Sequence, residues 1–247
     1  MISSRLLPVS FLTAGLFLFS CNGNKESTST DTISSDSTTT ATETTETVAP
    51  STIVTTPQNM LVVTHKVNNF TKWKASYDAH DSMRLVNGIH NYVIGRGAQD
   101  SNTVFVAVKV DDMAKAKAFA KDPSLKAAMQ KGGVIGTPTF EFVTITFQDT
   151  ASINSTLRSR STFAVKDWDT WQKVYEEGKQ LRLDNGLTLR AFGHDVDDNK
   201  KVTVVTAIMD TAKAFAFWKS DTLQKRRAAS GVIGIPKRFV YNVVQKY

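Results

Sequence analysis

From Val104 to Val110 a valine occupies every second position, a period of two that predicts a β-strand over residues 103–110. Leu61 to Val67 is another β-rich run, with Val63, His65 and Val67 on one face. The period then lengthens to that of a helix from Thr71 to Val86, and Gly88 stands just past its end, where the chain needs a left-handed cap. His90 to Arg96 reads as a strand joined to the valine strand through the turn Gly97 to Asn102, which makes a hairpin. Asp112 holds an N-cap position ahead of a helix from Ala114 to Lys121, and Asp122-Pro123 restarts the helix with a second cap and a proline at its first position. Gly133 ends it. A last strand, Thr139 to Phe147, follows Pro138 and carries Phe140 and Phe142 on one face, Val143, Ile145 and Phe147 on the other.

The pattern then repeats. Residues 60–149 fall on 158–247 without a gap, at the step that carries Trp73 to Trp171. Tyr77 lands on Tyr175, Arg84 on Arg182, Asn87-Gly88 on Asn185-Gly186, Asp112 on Asp210, Phe119 on Phe217, and Gly133 to Gly136 with Pro138 on Gly231 to Gly234 with Pro236. About a quarter of the positions are identical, so one unit has been duplicated. Each unit reads β-α-β-β-α-β, the ferredoxin-like order of four antiparallel strands with two helices on one face. The last strand of the first unit is apolar on both faces, so the sheet needs cover on the side away from its helices, and the second unit supplies it. The expected fold is therefore α+β, two ferredoxin-like βαββαβ repeats, 59–149 and 150–247, packed as an intramolecular pseudo-dimeric α/β barrel. Two separate domains are disfavoured by the short link from Asp149 to Ser159.

Upstream of the repeats the chain has a different character. Arg5 and the apolar run Phe11 to Phe19 have the form of a signal peptide over residues 1–20, too short for a lone membrane span. Leu18-Phe19-Ser20-Cys21 resembles a bacterial lipobox, which implies cleavage before Cys21, lipid attachment to it, and a place in the bacterial cell envelope. Cys21 is the single cysteine, so no disulfide forms within the chain. Residues 21–58 are mostly Ser, Thr, Ala and acidic residues and predict a disordered tether with a mean reach of about 30–35 Å. The net charge of +7 is uneven: 11 bases face 8 acids in the first repeat, 17 face 10 from residue 150 onward. Lys225-Arg226-Arg227 and Lys237-Arg238 are the densest basic points, read as a solvated face in the case of 225–227, and without interleaved aromatics they do not predict a nucleic-acid partner.

The repeat as a whole resembles the dimeric α/β-barrel superfamily that includes the antibiotic biosynthesis monooxygenases. The likeness rests on Trp73, Tyr77, Arg84, Gly88 and the Gly133–Pro138 run, with their copies Trp171, Tyr175, Arg182, Gly186 and Gly231–Pro236. It implies a ligand space between sheet and helices. At 100° per residue Trp73, Tyr77, His80 and Arg84 fall within about 60° of one another, and His65 points into the same space from the first strand. The candidate pocket is Trp73, Tyr77, His80 and Arg84, with Trp171, Tyr175 and Arg182 in the second copy. In it His65 or His80 would accept a proton and Arg84 would balance an enolate or carboxylate. The competing reading makes the aromatics core and Arg84 a helix C-terminal cation that reaches free carbonyls. His65 and His80 become Phe163 and Gly178 in the copy, so the fold does not require either imidazole.

The four histidines and one cysteine have no metal-ligand spacing, and neither a phosphate-binding loop nor a nucleophile motif is present, so neither a metal nor a cofactor is expected. Two functions remain. One is a membrane-anchored envelope lipoprotein that binds a small apolar or aromatic ligand or an envelope protein. The other is a cofactor-independent monooxygenase or isomerase acting on a small aromatic substrate in the first-repeat pocket.

Overall fold

The computed structural model of the protein describes residues 51–247; the signal-like segment, Cys21 and the tether up to residue 50 lie outside the described residues. The first repeat comprises β2 (Gln58–Val67), α1 (Phe70–Ala79), α2 (Asp81–Leu85), β3 (Ile89–Gly97), β4 (Thr103–Val110), α3 (Met113–Phe119), α4 (Pro123–Lys131) and β5 (Val134–Asp149). The second comprises β6 (Leu157–Val165), α5 (Trp168–Glu177), α6 (Lys179–Asp184), β7 (Leu187–Asp195), β8 (Lys201–Ile208), α7 (Thr211–Lys219), α8 (Asp221–Ala229) and β9 (Val232–Lys246). A two-residue strand, β1 (Ile53–Val54), precedes both and pairs with Gln148 and Asp149 of β5, so the expected tether is ordered at its C-terminal end.

Each half-sheet has the ferredoxin-like order, β5-β2-β4-β3 and β9-β6-β8-β7, and the halves join edge to edge through β3–β9 and β5–β7. The eight strands therefore close into an antiparallel barrel, which leaves no free edge among them. Gly95 and Gly193, copies of one position, lie on the two seams. A Cβ at Gly95 would collide with the Tyr241 ring, and one at Gly193 with the Thr144 carbonyl oxygen. Closure requires a residue without a side chain at each place.

Alternation along the strands builds two kinds of core. Leu61, Val63, Val67, Val104, Val106, Val108 and Val110 face α1–α4 and pack on Trp73 and Phe119. Met60, Val62, Phe105, Ala107, Val143 and Ile145 point the other way, into the barrel, where they meet Tyr241. The predicted caps form. Asp112 accepts from the Ala114 and Lys115 amides and Asp122 from that of Ser124, each cap contributing about 1 kcal/mol. Gly88 takes its left-handed φ of 65°.

Three expectations need correction. The helix expected over 71–86 breaks at His80, which ends α1 and opens α2; Gly178 marks the same break in the copy. The last strand begins at Val134, not Thr139, because Val134 and Ile135 pair with Val67 and Lys66. A register shift between Thr64 and Lys66 absorbs Gly136 and Pro138, so the missing proline N–H breaks no ladder bond. Phe147 does not share the face of Val143 and Ile145. A shift between Ile145 and Phe147 in the β5–β7 ladder turns it toward the second half, where it stacks on Phe192 at 5.2 Å.

Candidate functional site

Between sheet and helices each repeat holds a cavity, about 90 Å3 in the first and about 110 Å3 in the second. Their aromatic floors are alike. Trp73 stacks on Tyr77 at 5.1 Å and Trp171 on Tyr175 at 5.0 Å. Arg84 lies over the Tyr77 ring at 3.7 Å, and Arg182 over the Tyr175 ring at 3.8 Å. Both guanidiniums donate to the carbonyl of that tyrosine, at the C-terminal end of the preceding helix, as a cation placed there favours.

In the first repeat everything around this arginine is satisfied. Arg84 donates through Nε to Asn91 Oδ1 (3.1 Å), Nη1 to the Tyr77 carbonyl (2.8 Å) and Nη2 to Asp81 Oδ1 (3.0 Å). The Tyr77 hydroxyl donates to Asn91 Oδ1 at 2.6 Å, and Asn91 Nδ2 to Asp81 Oδ1 at 2.6 Å. Arg84 is thereby tied into a closed network with its own carboxylate. His65 reaches the cavity from β2, 5 % exposed, 5.3 Å from Trp73, with neither ring nitrogen hydrogen-bonded among the described residues. Burial alone pulls its pKa down to about 4, so it is neutral at pH 7. His80 is half-buried at the cavity wall, its Nδ1 2.6 Å from the Ser76 carbonyl.

The second repeat differs in charge. Lys179 and Leu189 occupy the positions of Asp81 and Asn91, so Arg182 has neither acid nor amide partner. Three further arginines line the cavity with it: Arg226 and Arg227 from α8 and Arg238 from β9. Arg226 donates to the Val174 carbonyl at 2.8 Å, and Arg238 lies 3.9 Å over the Trp218 ring. Gly178 makes room for Arg226, whose Nη2 would stand 2.8 Å from a Cβ at that position. None of the four arginines forms an ion pair among the described residues. Arg182 Nε, Arg238 Nε and the Tyr175 hydroxyl are buried without a hydrogen-bond partner there. Burial lowers the pKa of Arg182, with Arg226 adding to the effect, and takes Arg238 down to about 10 with help from Arg227; burial pushes Tyr175 up to about 12. The four arginines are half-buried, and they place positive charge without an acid partner beside the aromatic surface of Trp171 and Tyr175.

The structure thus gathers Trp73, Tyr77, His65, His80 and Arg84 around one cavity and Trp171, Tyr175 and Arg182 around another. The reading of 225–227 as a solvated face holds only for Lys225; Arg226 and Arg227 turn inward beside Leu223. Their signal was the step from 223 to 226 and 227, one helical stripe, against the apolar Ala128 and Met129 of the first copy. His90 sits outside, 2.7 Å from Asp111, and His194 lies edge-on to Trp168 at 4.8 Å. Among the described residues no cluster of three His, Cys, Asp or Glu is placed to hold a metal, and no helix is long and apolar enough to cross a membrane.

No protein-family model matches the chain, and no curated protein matches it in sequence. Solved structures match it in fold. A candidate monooxygenase from Fusobacterium nucleatum subsp. nucleatum aligns with a TM-score of 0.51 at 12% identity, over 76% of this chain and 93% of that one. An anthrone oxidase-like protein aligns with a TM-score of 0.52 at 11% identity, over 79% and 95%. At such identities the likeness is one of fold, an α+β barrel whose two ferredoxin-like halves lie in one polypeptide.

Proposed function

We propose that this protein is an envelope-anchored binder of a small aromatic anion, held in the sheet–helix cavity of the second repeat. The observation that carries the reading is the set of buried donors without partners, Tyr175 Oη, Arg182 Nε and Arg238 Nε, around one aromatic-lined space. The lipobox-like run ending at Cys21 supports the anchor. The volume, about 110 Å3, is below the roughly 150 Å3 that encloses benzene, so a one-ring acid would seat its ring on Trp171 and shift the flexible arms of Arg226 and Arg227 at the rim.

The chemistry of the first cavity speaks for binding over catalysis. A proton acceptor works best with a pKa near the operating pH, and burial holds that of His65 down at about 4. Arg84 and the Tyr77 hydroxyl are already committed to protein partners.

Calorimetric titration of the full chain with benzoate and with benzamide, its uncharged analogue, tests the reading. Benzoate should bind at least about tenfold more tightly, the worth of one charge-assisted hydrogen bond. The triple variant Arg226→Ala, Arg227→Met, Arg238→Phe, which installs the residues of the first repeat and leaves Arg182 as the one arginine of the cavity, should reduce that preference. Equal binding of the two probes, or an unchanged preference in the variant, would refute it.

A further inference from the structure

The barrel interior is a separate compartment, on the opposite face of the sheet from both cavities above. It encloses about 100 Å3. The duplication makes its two walls unlike. On the first-repeat side Met60, Val62, Ala107, Val143 and Ile145 present hydrocarbon. At the copied positions of Met60, Val62 and Tyr92 the second repeat carries Arg158, Arg160 and Arg190, all three at most 8 % exposed.

Two of these arginines are neutralised in place. Arg160 donates to Glu141 Oε2 at 2.6 Å and to Thr203 Oγ1 at 3.0 Å. Arg190 donates to Asp149 Oδ2 at 3.0 Å and to the Ala151 carbonyl at 2.6 Å. Arg158 is different. It uses Nη1 alone, to the Ser155 and Leu157 carbonyls at 2.7 and 3.0 Å, and it has no carboxylate partner among the described residues. Burial lowers its pKa and Arg190 adds to the push, while Tyr241 acts the other way. The Tyr241 side chain, only 3 % exposed, stands beside Arg158 and Arg160, whose charges oppose the upward push of burial on its hydroxyl, and the Tyr92 hydroxyl accepts from Gln148 Nε2. Lys246, solvent-exposed, stands at the mouth and feels the charge of Arg158 and Arg190. The groups that face the compartment therefore carry four positive charges against the two of Glu141 and Asp149.

We propose that the barrel interior binds a short-chain monocarboxylate, its carboxylate held by Arg158 and the Tyr241 hydroxyl and its alkyl tail laid against Met60, Val62 and Ile145. A planar oxyanion without a tail shares the first half of that chemistry. The hydrocarbon wall favours the acid. Since benzene's six carbons need roughly 150 Å3, a space of about 100 Å3 holds about four non-hydrogen atoms in all, so the acid is a short one, and propionate, with five, needs a slight shift of the flexible Met60 side chain. This site is independent of the second-repeat cavity.

The test is a thermal melt and a calorimetric titration of the full chain with propionate, propionamide and nitrate. Propionate should bind and raise the melting temperature, propionamide should not, and nitrate should bind about tenfold or more weakly because it gains nothing from the apolar wall. Arg158→Met, the residue of the first repeat, should weaken propionate by about 10- to 100-fold without lowering the melting temperature of the unliganded protein, since it removes a charge that has no acid partner. Tyr241→Phe, which keeps the ring, should weaken it several-fold. If Arg158→Met does not fold, Tyr241→Phe carries the test. The triple variant of the second-repeat cavity should leave the propionate response unchanged; a lost response there would reassign propionate to that cavity. An absent response, one equal for propionate and propionamide, or one untouched by either barrel variant overturns the proposal, and equal binding of nitrate overturns the tail contact.

Discussion

His65 offers a quantitative check on how the first cavity is built, because its second-repeat counterpart, Phe163, holds the same place 5.7 Å from Trp171. The folded protein keeps this imidazole neutral down to a pKa of about 4, against 6.5 for a solvated one. Between those values the unfolded chain carries a proton there and the native chain does not, so stability falls as the pH is lowered. The contribution is fully present above about pH 6.5 and is lost as the pH falls through about 4. At 1.36 kcal/mol per pKa unit the loss is about 2 kcal/mol at pH 5 and about 3 kcal/mol at pH 4. For a folded region of this size, about 2 kcal/mol corresponds to roughly 4–8 °C in melting temperature. His65→Phe removes the titration and both unpaired nitrogens, and the adjoining cavity leaves space for the larger ring. Urea unfolding of the two proteins at pH 7.5, 6 and 5 should show the difference in stability moving in favour of the variant by about 2 kcal/mol between pH 7.5 and pH 5. Carboxylates and the other histidines titrate in both proteins and cancel in the difference. Parallel pH profiles would show that His65 is not held neutral and would refute the account of its burial beside Trp73.

Two other outcomes follow from the same reasoning. Gly193→Ala places a Cβ against the Thr144 carbonyl at a barrel seam and should cost several kcal/mol, seen as an early urea midpoint, whereas Gly133→Ala, with open space around it, should cost about 1 kcal/mol for its left-handed backbone; equal losses would argue against seam closure as the constraint. On the proposed anchor, Cys21→Ser should move the protein from the membrane fraction to the soluble fraction and abolish incorporation of a labelled fatty acid, and retention in the membrane would count against lipid attachment.

The offset between the repeats made the barrel legible before any coordinate, because a duplicated half-barrel with two apolar sheet faces has one economical way to bury both. Caps and turns were readable for a local reason: Asp112, Asp122 and Gly88 act on their own neighbours in the chain. So was the stacking of Trp73 on Tyr77, which helical spacing alone brings about. What escaped was carried by differences between the copies. Ala128, Met129 and Phe140 become Arg226, Arg227 and Arg238, while Met60, Val62 and Tyr92 become Arg158, Arg160 and Arg190. Those six substitutions are among the fourteen at which the second repeat gains a base, and a repeat alignment read for its mismatches would have found them. That each set of three converges needed the structure, since Arg226 and Arg227 meet Arg238 only when α8 lies over β9, and Arg158 and Arg160 meet Arg190 only when the barrel closes. Likewise the pairing of Arg84 with Asp81 and Asn91, and the lack of a partner for Arg182, depend on which side chains face one another across a turn and a strand. Periodicity and caps are local properties, and the chain order holds them. Whether a buried charge has a partner is a property of packing, and it is this that separates the neutral first cavity from the cationic second one.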